Sequence, residues 1–205
     1  MKSLRCTLPA VLLSLSIAAF AQHDAQMATA PKTDAQKSFE TMKTLAGTWE
    51  GRITTTPAHP EMDGSLGQVT FRVTSMGNAL MHDMKSSVRP DNPITMMYLD
   101  NDRLLLTHFC DAGNRPRMVA RPSADGKQVE FDFLDVAGGT QYGHMDHAVF
   151  TIVDDNHHIE DWTYMEPGDK PIHAHFDLQR SKDQPPAKST TASNPAETRA
   201  QLLTK

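Results

Sequence analysis

Ten runs with strand character follow one another along this chain, with no helical period between any two of them. They fall at approximately 48–56, 67–75, 79–88, 94–100, 103–110, 116–122, 128–134, 145–153, 158–166 and 172–180, bounded by Gly, Pro, Asn and Asp clusters. Strands joined by so little chain pair antiparallel, because a parallel neighbour needs a long crossover. A sandwich would also need longer crossing connections, so the pattern predicts an all-β, up-and-down antiparallel β-barrel of about ten strands.

The connections predict which end is open. Met76-Gly77-Asn78, Asn101-Asp102, Ala124-Asp125-Gly126 and Asp154-Asp155-Asn156 read as tight turns, whereas 57–66, 89–93, 111–115, 135–144 and 167–171 are longer. Successive connections of a meander lie at opposite ends, so the tight turns gather at one rim and the long loops form a mouth at the other. Ahead of the strands, Thr33-Asp34-Ala35-Gln36 has the form of a capping box, and Phe39, Met42 and Leu45 recur at helical spacing with Gly47 just past the end. This short helix has one apolar side and is expected to close the tight-turn end.

The two termini differ from the middle. Lys2 and Arg5, an apolar run from Leu8 to Phe20 and the triplet Ala19-Phe20-Ala21 read as a signal peptide over 1–21, cleaved after Ala21. The expected organisation is then a flexible leader over 22–32, a barrel domain over 33–181 and a disordered tail over 182–205. Such a chain is exported, periplasmic or secreted, with no membrane span in the mature part. Losing Lys2 and Arg5 takes the formal charge from −5 to −7. Nucleic acid is therefore a poor partner, since phosphate binding needs a basic face. Only Cys110 remains after cleavage, so no internal disulfide supports the fold.

Leu45-Ala46-Gly47-Thr48-Trp49-Glu50-Gly51, at the junction of helix and first strand, resembles the Gly-x-Trp signature that opens the calycin superfamily. That superfamily holds the lipocalins, nitrobindin-like barrels and uncharacterised bacterial exported lipocalin-like proteins. The resemblance implies a late arginine stacked on the indole, for which Arg180 in Leu178-Gln179-Arg180 is the match. It also raises haem as a cofactor. However, Arg52-Ile53-Thr54 replaces the glycine-rich continuation of the nitrobindin pattern, and no proximal histidine aligns. His108 and His173 are the candidates. Thr107-His108-Phe109-Cys110, Gly113 to Met118 and Gly143-His144-Met145 resemble recurring segments of the bacterial proteins, and that likeness gives position without role.

The meander puts several reactive side chains near the mouth. His173-x-His175 shares one strand face and suits a transition metal, although the alternative places both rings outside with Asp177 while Ala174, Phe176 and Leu178 pack inwards. His108 and Cys110 share a face with Met97, Leu99, Leu104 and Leu106, which suits a hydrogen-bonded core histidine and an inert thiol as well as a ligand. A Cys-His nucleophile is disfavoured, since Cα atoms two apart on a strand lie roughly 6.5 Å apart and no orienting carboxylate is assigned. His144 and His147 should point to opposite faces. Arg117, following Asp111 to Asn114 with Arg115 and Arg121 nearby, either fixes an anionic headgroup or forms a solvated pair with Asp111 or Asp135.

The reading favoured by the sequence is a non-enzymatic barrel that binds a small apolar or amphipathic molecule, using His108, Arg117, His144, Tyr164 and His173. The alternatives are a haem- or metal-binding barrel and a filled barrel acting as a structural or interaction module.

Overall fold

The computed structural model describes residues 31–122 and 125–182. The predicted signal segment 1–21, and nearly all of the leader 22–32 and the tail 182–205, lie outside the described residues. Among the described residues an α-helix, α1 (Asp34–Lys43), precedes ten strands: β1 (Gly47–Thr56), β2 (Leu66–Thr74), β3 (Ala79–Ser86), β4 (Ile94–Asp100), β5 (Arg103–Phe109), β6 (Arg115–Pro122), β7 (Gln128–Ala137), β8 (His144–Asp154), β9 (His157–Glu166) and β10 (Lys170–Arg180). Each pairs antiparallel with its neighbours in sequence, and β1 also pairs with β10, so the sheet closes into an up-and-down barrel. Closure leaves no free sheet edge.

Local chemistry sets the start of the chain's path. The Thr33 hydroxyl accepts from the Gln36 N–H at 3.2 Å while the Gln36 side chain accepts from the Thr33 N–H at 2.9 Å, a reciprocal cap on α1. The buried side of the helix carries Phe39 and Met42, and with Leu45 these join the barrel core. The helix packs on β2, β4, β5 and β6 near their tight-turn ends. Trp49 is fully buried there and its Nε1 donates to the Leu45 carbonyl at 2.7 Å. Arg180 lies over the indole, 4.0 Å from guanidinium carbon to ring centroid, and donates to the Ala46 and Thr44 carbonyls beyond the helix end. One side chain thus covers the ring and satisfies carbonyls the helix leaves unpaired. Opposite this seam, Gly51 faces Leu178, and a Cβ on Gly51 would stand 1.8 Å from the Asp177 carbonyl oxygen. Only glycine lets β1 and β10 approach so closely.

The strand limits differ from the sequence expectation mainly at the loop rim. β7 continues to Ala137, which shrinks the long 135–144 connection to 138–143, and β10 begins at Lys170, so the β9–β10 connection is a three-residue turn. A further departure is a bulge in β8: Met145 pairs with Tyr164 and His147 with Thr163, leaving Asp146 as the extra residue. A bulge shifts side-chain parity by one. His144 and His147 therefore share the outer face, contrary to the opposite faces expected of an unbroken strand.

Candidate functional site

The barrel interior has two halves. At the helix end Trp49, Phe71, Leu80, Leu104, Phe131, Phe150 and Leu178 fill it without exposure beyond 2%. Toward the loops it opens into a cavity of about 500 Å³. Ile53, Met84, His108, Trp162 and Phe176 line its inner part, Thr55, Cys110, Met145 and Tyr164 its wall, and His59, Arg89, Asp91, Asp111 and Glu166 its rim. These rim residues belong to the connections or strand ends on the side away from α1, so the open end is the one predicted from loop length.

Beneath the cavity lies a buried polar group set. Glu160 on β9 is completely buried and its carboxylate accepts three hydrogen bonds, from His158 Nε2 at 2.9 Å, His82 Nε2 at 3.0 Å and Trp162 Nε1 at 2.9 Å. Burial alone would raise its pKa. The field of His82 and the hydrogen bonds from both histidines outweigh that and hold the carboxyl well below its ordinary range. Phe71 packs edge-on against both imidazoles, and His158 meets the Trp49 ring at 4.2 Å between centroids. The network therefore joins the sealed end to the cavity floor, where Trp162 forms its upper member.

His108 stands beside this network and is separate from it. Its Nδ1 lies 2.8 Å from the Thr95 hydroxyl of the paired strand β4, and its Nε2 has no partner among the described residues. The ring packs against Trp162 at 5.6 Å. Burial, and then the field of His82, lower its pKa to about 3, so the imidazole is neutral at physiological pH. Met97, Leu104 and Leu106 share its inward face and are buried with it.

The mouth is braced from loop to loop. Asn114, buried, donates through its amide to the Gly143 carbonyl at 2.7 Å and the Gly139 carbonyl at 2.9 Å. This bond links the two glycine-containing segments noted in the sequence, which lie on different connections. Tyr164 donates to the Tyr142 carbonyl at 2.5 Å, and Gly143 leaves room for that ring, since a Cβ there would stand 2.8 Å from Tyr164 Cε1. Arg89 is paired with Asp111 at 2.5 Å. Burial raises the pKa of both the Cys110 thiol and the Tyr164 phenol, so neither is poised as a nucleophile.

Two of the five ligand-binding candidates, His108 and Tyr164, line the cavity, and three do not. Arg117 lies on the outer face in a bidentate pair with Asp135, the second of its two expected roles, which raises its pKa and leaves the guanidinium occupied. His144 faces outward on β8 and stacks on Phe133 at 5.0 Å. His173 and His175 are exposed on the outer face of β10, where each is engaged by β9: His173 by the Thr163 hydroxyl at 3.1 Å and His175 by Asp161 at 2.7 Å. On β10 strand parity decides this, because Ile172, Ala174, Phe176 and Leu178 take the inner positions. One group of possible metal ligands, Glu130, Asp132 and His147, gathers on the outer face among the described residues. Arg121 already donates to both of its carboxylates.

Sequence reading missed Glu160, His158, His82 and Trp162. A signal for three of them existed. Cross-strand partners share a face, β10 has an unambiguous inner face, and its residues pair as Leu178 with His158, Phe176 with Glu160 and Ala174 with Trp162.

No protein-family profile and no curated protein matches this chain. Solved structures do. Rv2717c from M. tuberculosis superposes with a TM-score of 0.55 at 14% identity, covering 71% of this chain and 98% of that one. A protein of unknown function from the DUF3598 family of Nostoc punctiforme gives 0.50 at 12% identity, covering 68% of this chain, which spans 49% of that longer protein. The likeness is one of fold.

Proposed function

We propose that this chain is an exported, calycin-like binding barrel that holds a small amphipathic molecule of neutral or positive charge in the loop-end cavity. The observation that carries the reading is the cavity itself. Its volume falls within the range of small-molecule sites, and its apolar inner walls and few polar groups fit partial burial of an apolar body. The rim sets the preference in charge: Asp91, Asp111 and Glu166 face one guanidinium, Arg89, which Asp111 already holds. An anionic headgroup gains little there. The Gly-x-Trp opening with Arg180 on the indole, and the likeness in fold to Rv2717c, support the calycin-like assignment. Export rests on the N-terminal signal pattern alone.

The haem or metal alternative finds one nitrogen in a suitable place, His108 Nε2. The fit is poor, because a ligating histidine needs its other nitrogen protonated and donating. Here Nδ1 meets a buried hydroxyl whose own proton would then lack an acceptor. The histidines His173 and His175 lie outside the barrel.

Native mass spectrometry of protein recovered from its own source tests the proposal. An adduct of a few hundred daltons is expected, lost in Ala174→Trp, which fills the cavity. Protein that carries no adduct, and whose tryptophan emission is unchanged by apolar probes, would overturn it.

A further inference from the structure

We propose that the inner end of the cavity receives an uncharged hydrogen-bond acceptor, a carbonyl or ether oxygen on an apolar body, met by the Nε2–H of His108. This rests on the cavity reading above and adds the chemistry of the ligand.

Thr95 fixes where the ring proton sits. Its hydroxyl is fully buried and its one partner among the described residues is His108 Nδ1. If Nδ1 carried the ring proton, the hydroxyl could only accept, its own proton would be unpaired in the core, and the Nε2 lone pair would be bare as well. If the hydroxyl donates to Nδ1, Thr95 is satisfied and the ring proton sits on Nε2. An unmet buried donor is costly wherever it falls, but the second arrangement places it on a ring that forms part of the cavity wall. Nε2 itself is covered in this structure, and a molecule that shifts the covering side chains meets it. The same tautomer excludes Nε2 as a metal ligand.

The surroundings decide that the acceptor is uncharged. Among the described residues no cation lines the inner cavity: its neighbours are Ile53, Met84, Trp162 and Phe176, and the lining guanidinium, Arg89, is at the rim. Below Trp162 lies the Glu160 carboxylate, an anion whose field opposes a second one. His108 itself stays neutral because it is buried and His82 is near.

Three probes of one shape test this with the full chain: 2-acetylnaphthalene, 2-ethylnaphthalene and 2-naphthoate, followed by calorimetry and by tryptophan emission. The ketone is expected to bind about tenfold tighter than the hydrocarbon, in keeping with one neutral hydrogen bond in a dry site. Naphthoate is expected to be the weakest of the three. His108→Phe should abolish the ketone's advantage while the hydrocarbon still binds. Nitrogen-15 spectra of the unaltered protein should place the His108 proton on Nε2. Equal affinity for ketone and hydrocarbon, or a proton on Nδ1, overturns the inference and leaves the cavity reading standing; preference for naphthoate overturns the inference together with the charge preference of that reading. Failure of all three probes to bind overturns the cavity reading and this inference with it.

Discussion

Mild acid should loosen this barrel through His108, and the size of the effect follows from its burial. The folded pKa is about 3 against an ordinary value of 6.5, with desolvation the larger cause and the field of His82 the smaller. Between those values the unfolded chain takes up a proton that the folded barrel refuses, so stability falls as pH drops through 6.5 and the loss levels off below 3. For one such group the linkage amounts to about 2 kcal/mol between pH 7 and pH 5, and about 4 kcal/mol by pH 3. Glu160 has the opposite chemistry, a carboxylate held below its ordinary range, and its stabilisation declines only below about 4.5. The window from pH 7 to 5 therefore isolates the histidine contribution. Urea melts of the wild type and of His108→Phe at pH 7, 6 and 5 provide the assay. The variant loses the acceptor for Thr95 and is less stable at pH 7. What matters is its slope with pH, which should be shallower by about 2 kcal/mol across the window, or about 1 M in wild-type midpoint at an ordinary m-value. A double variant with Thr95→Val removes the orphaned hydroxyl and should keep the shallow slope. Parallel pH dependence in wild type and variants would refute the burial argument.

Glu160→Gln keeps the shape but turns an amide N–H toward donors already present, leaving His82, His158 or Trp162 unpaired; it should cost about 3–5 kcal/mol and lower Tm by about 10 °C, a loss that thermal melts at pH 7 would read. Arg180→Ala should cost about 2 kcal/mol, because the cation over Trp49 and the donors to Ala46 and Thr44 go together. Arg180→Lys should recover less than half, since an ammonium lacks the planar fork; equal stability of Arg180→Ala and wild type in urea would show the stacking to be incidental. Asn114→Asp sets a carboxylate against the Gly139 and Gly143 carbonyls it now donates to. Hydrogen exchange should rise at least tenfold in residues 138–143 while β3 and β9 stay protected.

The closed barrel was legible in the sequence because alternation, short connections and the absence of helices all constrain the same thing. The mouth was legible for a related reason: loop length alternates with strand direction, and the loop-end lining confirms the direction even though the β9–β10 connection is only three residues. The site was less legible because each histidine was judged within its own strand. On β10 that suffices, since Phe176 and Leu178 mark the inner face and put His173 outside. On β8 it fails, since nothing in His144-Met145-Asp146-His147 announces an extra residue at Asp146. On β9 both faces mix polar and apolar residues, Ile159 and Met165 on one, Trp162 and Tyr164 on the other, so alternation alone cannot choose.

The register with β10 does choose, and what it places inside bears on how the cavity keeps its shape. A buried carboxylate with three donors is seldom the most stable filling for a core; apolar residues of similar volume often serve as well or better. Its effect here is directional. Trp162 donates downward to Glu160, and that bond fixes the orientation of an indole that would otherwise be held by packing alone. His82 tilts against the same ring at 5.6 Å from below, and His108 at 5.6 Å from the cavity side. The floor of the cavity is thus a tryptophan held in orientation by a charge, with the unpaired histidine nitrogen set beside it. A wholly apolar interior could collapse into the space above Trp162, whereas this network, with every oxygen of Glu160 engaged, keeps the packed half of the barrel apart from the open one.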